Sequence, residues 1–171
     1  TVFSASPSIE YLEKTSDSVK YGQVAVNPYV EFTIPSVLNP DFAPDGKHVL
    51  SATVQYAPYH LRDGSWSGEL KSHLKNNVVE VLENYIPGFS SFVDSTIVLS
   101  PVDFENQFGL TEGNLNHGEM TLDQFMFMRP TMSAAQYKSP IENLYLCGPG
   151  THPGGGLHGT NGYNAAKEIL K

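Results

Sequence analysis

Seven of the fifteen glycines in this chain fall between Gly148 and Gly162. They lie in the run Leu144-Tyr-Leu-Cys-Gly-Pro-Gly-Thr-His-Pro-Gly-Gly-Gly-Leu-His-Gly-Thr-Asn-Gly162, which reads as an apolar strand, a glycine loop and a helix. Glycine lets a ligand approach the backbone, because no Cβ stands in the way. The start of the following helix offers unpaired N–H groups and a partial positive charge. Together they suit a phosphate or the anionic edge of a ring. The run is not a complete dinucleotide fingerprint, because the third glycine of G-x-G-x-x-G would fall at Pro153. Glu168 has the spacing of the acidic ribose partner, but too little chain follows it for the second strand that such a unit needs. The loop can therefore form one wall of a cofactor site whose other wall comes from elsewhere. A plain connection is the alternative. Flexible linkers are Gly/Ser-rich, however, and this run interleaves Pro, His and Leu.

Other reactive side chains are sparse. His117, His152 and His158 show no metal-ligand spacing and have no cysteine partner, so no metal is expected. His152 and His158 read as loop residues beside a ligand. No serine stands in a G-x-S-x-G elbow. Cys147 follows an apolar strand and reads as a buried, inert thiol. The run Phe125-Met-Phe-Met128 reads as core or as the lining of an apolar pocket. Arg129, before Pro130, is either a surface charge or a contact to substrate or cofactor.

The elements that position these residues must come from 171 residues, of which 40% are apolar and 16% charged. A chain of this size can bury about 70% of its unfolded surface, so a packed core is expected. Ten Lys and Arg against eighteen Asp and Glu give a net charge of −8. That balance argues against nucleic acid as a partner, since such binding rests on clustered cations. The single cysteine excludes an internal disulfide and favours a reducing compartment. No apolar run approaches the ~20 residues of a membrane span, and no secretory-signal pattern is present. A cytoplasmic setting is expected, or a mitochondrial one if the source is eukaryotic.

Along the chain, a short helix is expected at Ser8–Lys14, capped by Ser6 or Ser8. Strands are expected at Tyr29–Ile34 and His48–Tyr56, separated by a proline-rich loop that closes at Asp45-Gly46. Leu70, Leu74, Val78, Val81, Leu82 and Tyr85 share one face of a helix over Glu69–Tyr85, which Pro87-Gly88 stops. A strand over Phe92–Leu99 and a helix from Pro101 to Phe108 follow. The Thr121-Leu-Asp-Gln124 capping box predicts a helix through Met128. A strand over Asn143–Cys147 and a helix over Tyr163–Leu170 complete the chain. The fold class is α+β or mixed α/β: a mixed β-sheet backed by helices, plus a terminal strand, glycine loop and helix.

Several blocks carry a family resemblance. They are Gly113-Asn-Leu-Asn-His117, Met120-Thr-Leu-Asp-Gln124, Arg129-Pro130, the run from Leu144 to Gly156, and Gly159-Thr-Asn-Gly162-Tyr-Asn-Ala-Ala166. They resemble the C-terminal end of phytoene desaturase-like FAD oxidoreductases, in particular the phytoene dehydrogenase-related branch. Ile34-Pro35-Ser36, Ala43-Pro44, Gln55-Tyr56-Ala57-Pro58-Tyr59 and Tyr85-Ile-Pro-Gly-Phe89 extend the likeness over nearly the whole chain.

The resemblance implies that residues 1–142 form the substrate-side domain of an FAD-linked, amine-oxidase-like fold. Residues 143–171 would return to complete the FAD-binding domain. Gly148 and Gly150 would approach the pyrophosphate or ribityl chain. Gly154, Gly155, Gly156 and Leu157 would lie along the isoalloxazine, with the last helix aimed at the ring. His117, Phe125, Arg129, His152 and His158 become substrate-side candidates, and the substrate would be an apolar small molecule. The family's N-terminal dinucleotide-binding segment is not in this sequence, and it is the expected partner. The chain alone would then be inactive, would not retain FAD and would self-associate through uncovered apolar surface, and its glycine loop would take its order from that partner. Two other readings stay open: a flavin-free binding or interaction module on the same scaffold, and an unrelated binder of a phosphate or carboxylate.

Overall fold

Ser67 begins the longest helix, because its side chain accepts the Leu70 N–H at 3.2 Å and leaves the next turn free to propagate. In the computed structural model, which describes residues 1–125 and 128–171, this helix spans Gly68–Glu83. The chain forms two compact units, residues 1–101 and 102–171.

In the first unit, strands β1 (Phe3–Ala5), β2 (Tyr29–Thr33) and β3 (Ser51–Gln55) form an antiparallel sheet in the order β1-β2-β3. Phe3 and Ala52 flank Phe32, and Ala5 and Val54 flank Val30. Side chains alternate along β2, so Val30 and Phe32 share a face and are buried. They form the core with Ala5 and with Val81 and Leu82 of the long helix, α2 (Gly68–Glu83). Helix α1 (Ile9–Lys20) is capped by Ser8, one of the two expected caps, and runs six residues beyond Lys14. Its Tyr11 hydroxyl donates to the Pro28 carbonyl at 2.9 Å, which fixes the entry to β2.

Four features of this unit differ from expectation. Residues 93–99 are not a strand. A short helix α3 (Phe89–Phe92) precedes them, and Ile97 is left exposed. Their β-branched side chains favour a pleated surface only where a neighbouring strand supplies one, and none does among the described residues. Tyr85 does not extend the buried face of α2, which ends at Glu83 and leaves the ring exposed. Asn77, not anticipated as core, is buried and donates to the Ala25 carbonyl. The fold is α+β as expected, but the sheet is antiparallel throughout rather than mixed.

The second unit has little regular structure. Helix α4 (Pro101–Phe108) starts at the last residue of the first unit and continues into the second, which closes with α5 (Thr160–Ile169). The expected strand over Asn143–Cys147 reduces to one antiparallel bridge between Lys138 and Tyr145. Asn143 has φ +61, which breaks the extended run. The expected helix after Thr121 is a turn at Leu122–Gln124, where the Gln124 side chain donates to the Pro130 carbonyl rather than closing a capping box. Met126 and Phe127 of that expected helix lie outside the described residues. Among the described residues no helix is long and apolar enough to cross a membrane.

Candidate glycine-loop site

Gly159, with φ +68, breaks the loop and allows α5 to start at Thr160, three residues earlier than expected. The Thr160 N–H donates to His158 Nδ1 at 3.1 Å, and His158 Nε2 lies 3.3 Å from the Gly155 carbonyl. The tautomer with its hydrogen on Nε2 meets both partners, so the ring caps the start of α5. The next residue, Asn161, is buried. Its side-chain Nδ2 lies 2.9 Å from the Thr151 carbonyl and 3.2–3.3 Å from those of Gly148, His152 and Gly154. The Tyr137 hydroxyl also donates to the His152 carbonyl at 2.9 Å, and Asn164 Nδ2 donates to the Tyr137 hydroxyl. Within the chain, α5 and Tyr137 supply hydrogen bonds to the carbonyls of this loop.

Arg129 is 1% exposed, so a surface position is excluded. Its Nε donates to the Pro149 carbonyl at 3.3 Å, and Nη2 donates to the carbonyls of Asn116 and His117 at 2.6 and 2.9 Å. Nη1 meets the Met120 sulfur at 2.9 Å. A buried cation is costly unless its N–H groups are satisfied. Here neutral main-chain acceptors satisfy them. Arg129 thus joins residues 116–120 to the glycine loop.

The glycines divide by what surrounds them. A Cβ on Gly154 would stand 3.3 Å from the Met120 side chain, and φ there is +108. A Cβ on Gly155 would stand 2.7 Å from Asn116 Oδ1. Packing within the chain accounts for both. Gly148, Gly150 and Gly162 differ: no positive φ requires glycine there, and a Cβ would meet open space among the described residues. Gly162 even lies within α5, where glycine costs about 1 kcal/mol relative to alanine.

Of the other candidates, Leu157 projects fully into solvent, Gly156 is exposed with φ +118, and His117 is exposed with φ +56. Phe125 is about half exposed, and His152 is half-buried. Cys147 is exposed, which corrects its reading as a buried thiol. Among the described residues no cluster of three His, Cys, Asp or Glu could hold a metal ion. Sequence reasoning missed Asn161, Tyr137, Asn116 and Met120, which shape the loop without the residue types that signal chemistry.

No protein-family model matches the chain. It is 42% identical over 161 residues to pyridine nucleotide-disulfide oxidoreductase domain-containing protein 2 of Rattus norvegicus, covering 94% of this chain and 28% of that protein. It is 28% identical over 148 residues to a limonene dehydrogenase polypeptide of Castellaniella defragrans, covering 84% of this chain and 26% of that one. It is 28% identical over 155 residues to a lycopene-forming phytoene desaturase of Paracoccus sp., covering 89% of this chain and 30% of the desaturase. The chain spans little more than a quarter of the length of the first relative. It is homologous to one segment of these oxidoreductases.

Proposed function

We propose that this chain is the C-terminal part of an FAD-dependent oxidoreductase that acts on an apolar substrate, and that it supplies the substrate-side domain and one wall of the flavin site. The observation that carries this reading is the set of open glycines. Gly148, Gly150 and Gly162 are glycine for no reason that the described residues of the chain supply. A cofactor pressed against that backbone would supply one.

The residues present fit such a group. Gly148 and Gly150 would face its pyrophosphate or ribityl chain, and Gly154, Gly155, Gly156 and Leu157 would lie along the ring. When bound, FAD would supply the two-electron chemistry. The chain's own part is to bind and orient. The first turn of α5 directs N–H groups and a partial positive charge toward the loop, which favours negative charge on a bound ring. Arg129, with no surface free to meet a substrate, acts on the loop by holding Pro149. Phe125, His117, His152 and His158 remain the substrate-side candidates. The relatives named for limonene and phytoene chemistry support an apolar substrate, because both names denote hydrocarbons.

The test is a pair of substitutions in a full-length protein carrying this chain. Gly148→Val and Gly150→Val should lower the FAD released on denaturation of the full-length protein, while leaving the melting temperature of the flavin-free 171-residue chain nearly unchanged. Full FAD retention by both would refute this placement of the cofactor.

A further inference from the structure

We infer that Asn161 is the positioning residue of the glycine loop, and that it acts as a hydrogen-bond donor rather than as a packing group. Four main-chain carbonyl oxygens, of Gly148, Thr151, His152 and Gly154, surround its Nδ2 within 3.3 Å, and Thr151 Oγ1 is at the same limit. An amide NH2 carries two hydrogens, so it shares them among these acceptors. Three of the four carbonyls also receive another donor. Thr151 N and Oγ1 reach Gly148, Gly154 N reaches Thr151, and Tyr137 Oη reaches His152. The loop is therefore curled with its oxygens inward, around a single nitrogen borne on the first turn of α5.

This geometry makes the chemical type at position 161 decisive. Asn161→Asp keeps the shape but places a charged oxygen among four others. Burial and the inward carbonyl dipoles both oppose that charge and raise the carboxyl's folded pKa above its value in the unfolded chain. For a carboxyl raised in the folded state, the penalty is absent below the unfolded value of about 4 and grows as pH rises above it. Below that range the carboxyl carries a hydrogen and can donate again. Asn161→Ala has no donor at any pH. The donor role stands on the contacts alone. What the ordered loop presents to a cofactor rests on the function proposed above.

The experiment is amide hydrogen exchange of the 171-residue chain, read as protection at Thr151 and Gly154, whose N–H groups bond within the loop. Relative to the wild type, Asn161→Asp should lose about tenfold or more protection near neutral pH and regain most of it near pH 4. Asn161→Ala should lose it at both. Asn161→Ser, which keeps a short neutral donor, should fall between wild type and Asn161→Ala without the pH dependence. In a full-length protein, FAD retention by Asn161→Asp should follow the same pH dependence. Identical behaviour of Asn161→Asp and Asn161→Ala at both pH values, or no loss in either, overturns the donor role. The expected exchange pattern together with a flavin-free wild-type parent would leave the donor role standing and overturn the FAD reading.

Discussion

The Arg129 Nε–H points at the carbonyl oxygen of Pro149, 3.3 Å away and twenty residues along the chain. The same guanidinium holds the carbonyls of Asn116 and His117. A planar fork can serve acceptors on separate segments at once, whereas a lysine ammonium offers a single point. Arg129→Lys should therefore destabilise the second unit by about 2 kcal/mol. Denaturant unfolding followed at residues 102–171 measures this. A loss under half that size would mean the guanidinium geometry is not what secures the loop.

The two classes of glycine predict opposite outcomes for one substitution. Gly154→Ala forces a side chain into a glycine-only backbone conformation and against Met120, and should cost about 2 kcal/mol. Gly148→Ala enters open space at an ordinary φ and should change stability by less than about 0.5 kcal/mol. Thermal melts of the two variants decide the matter. Equal destabilisation would remove the argument that Gly148 is kept for something outside the chain.

Glu83 gives a pH prediction in the first unit. Its carboxylate accepts the N–H groups of Gly88 at 2.6 Å and Ser90 at 2.8 Å, and these bonds hold its pKa below the usual carboxylate value. A depressed folded pKa means the stabilisation is present above the unfolded value and is lost as pH falls through the folded one. Titration of the Glu83 side chain by NMR should give a midpoint below that of a free glutamate, and Glu83→Gln should remove the acid-side loss it causes. A midpoint at or above the free value would contradict the capping geometry.

Ser36 gives the last local prediction. It is buried, accepts the Val49 N–H at 3.0 Å and lies 3.1 Å from His48 Nδ1. Ser36→Ala removes the acceptor of the part-buried Val49 amide and should cost about 1 kcal/mol. A neutral result in denaturant unfolding would show that water replaces the hydroxyl.

The sequence makes some of this architecture legible and hides the rest for physical reasons. Helix α2 and the Ser8 cap of α1 could be read because apolar spacing and capping are local signals. Strand β2 carries its own alternation and ends before Pro35 as expected. Residues 93–99 and 143–147 carry strand-like composition, but a strand depends on a partner that composition does not specify. The glycine loop announces itself, yet the group that shapes it does not. Thr-Asn-Gly162 reads as a loop because those residues are poor helix formers, and only tertiary bonds to Asn161 make it the first turn of α5. Arg129 looks like a surface charge until its carbonyl acceptors are seen, since main-chain oxygens leave no trace in a sequence.

If this chain forms one wall of a flavin site, FAD is held by the longer protein and not by the chain alone. The most direct measurement is the visible absorption spectrum and released cofactor of a full-length protein carrying it, set beside those of the 171-residue chain expressed alone. A flavin band and released FAD are expected from the full-length protein and neither from the chain. A full-length protein purified without flavin, and unable to take up added FAD, would contradict this reading.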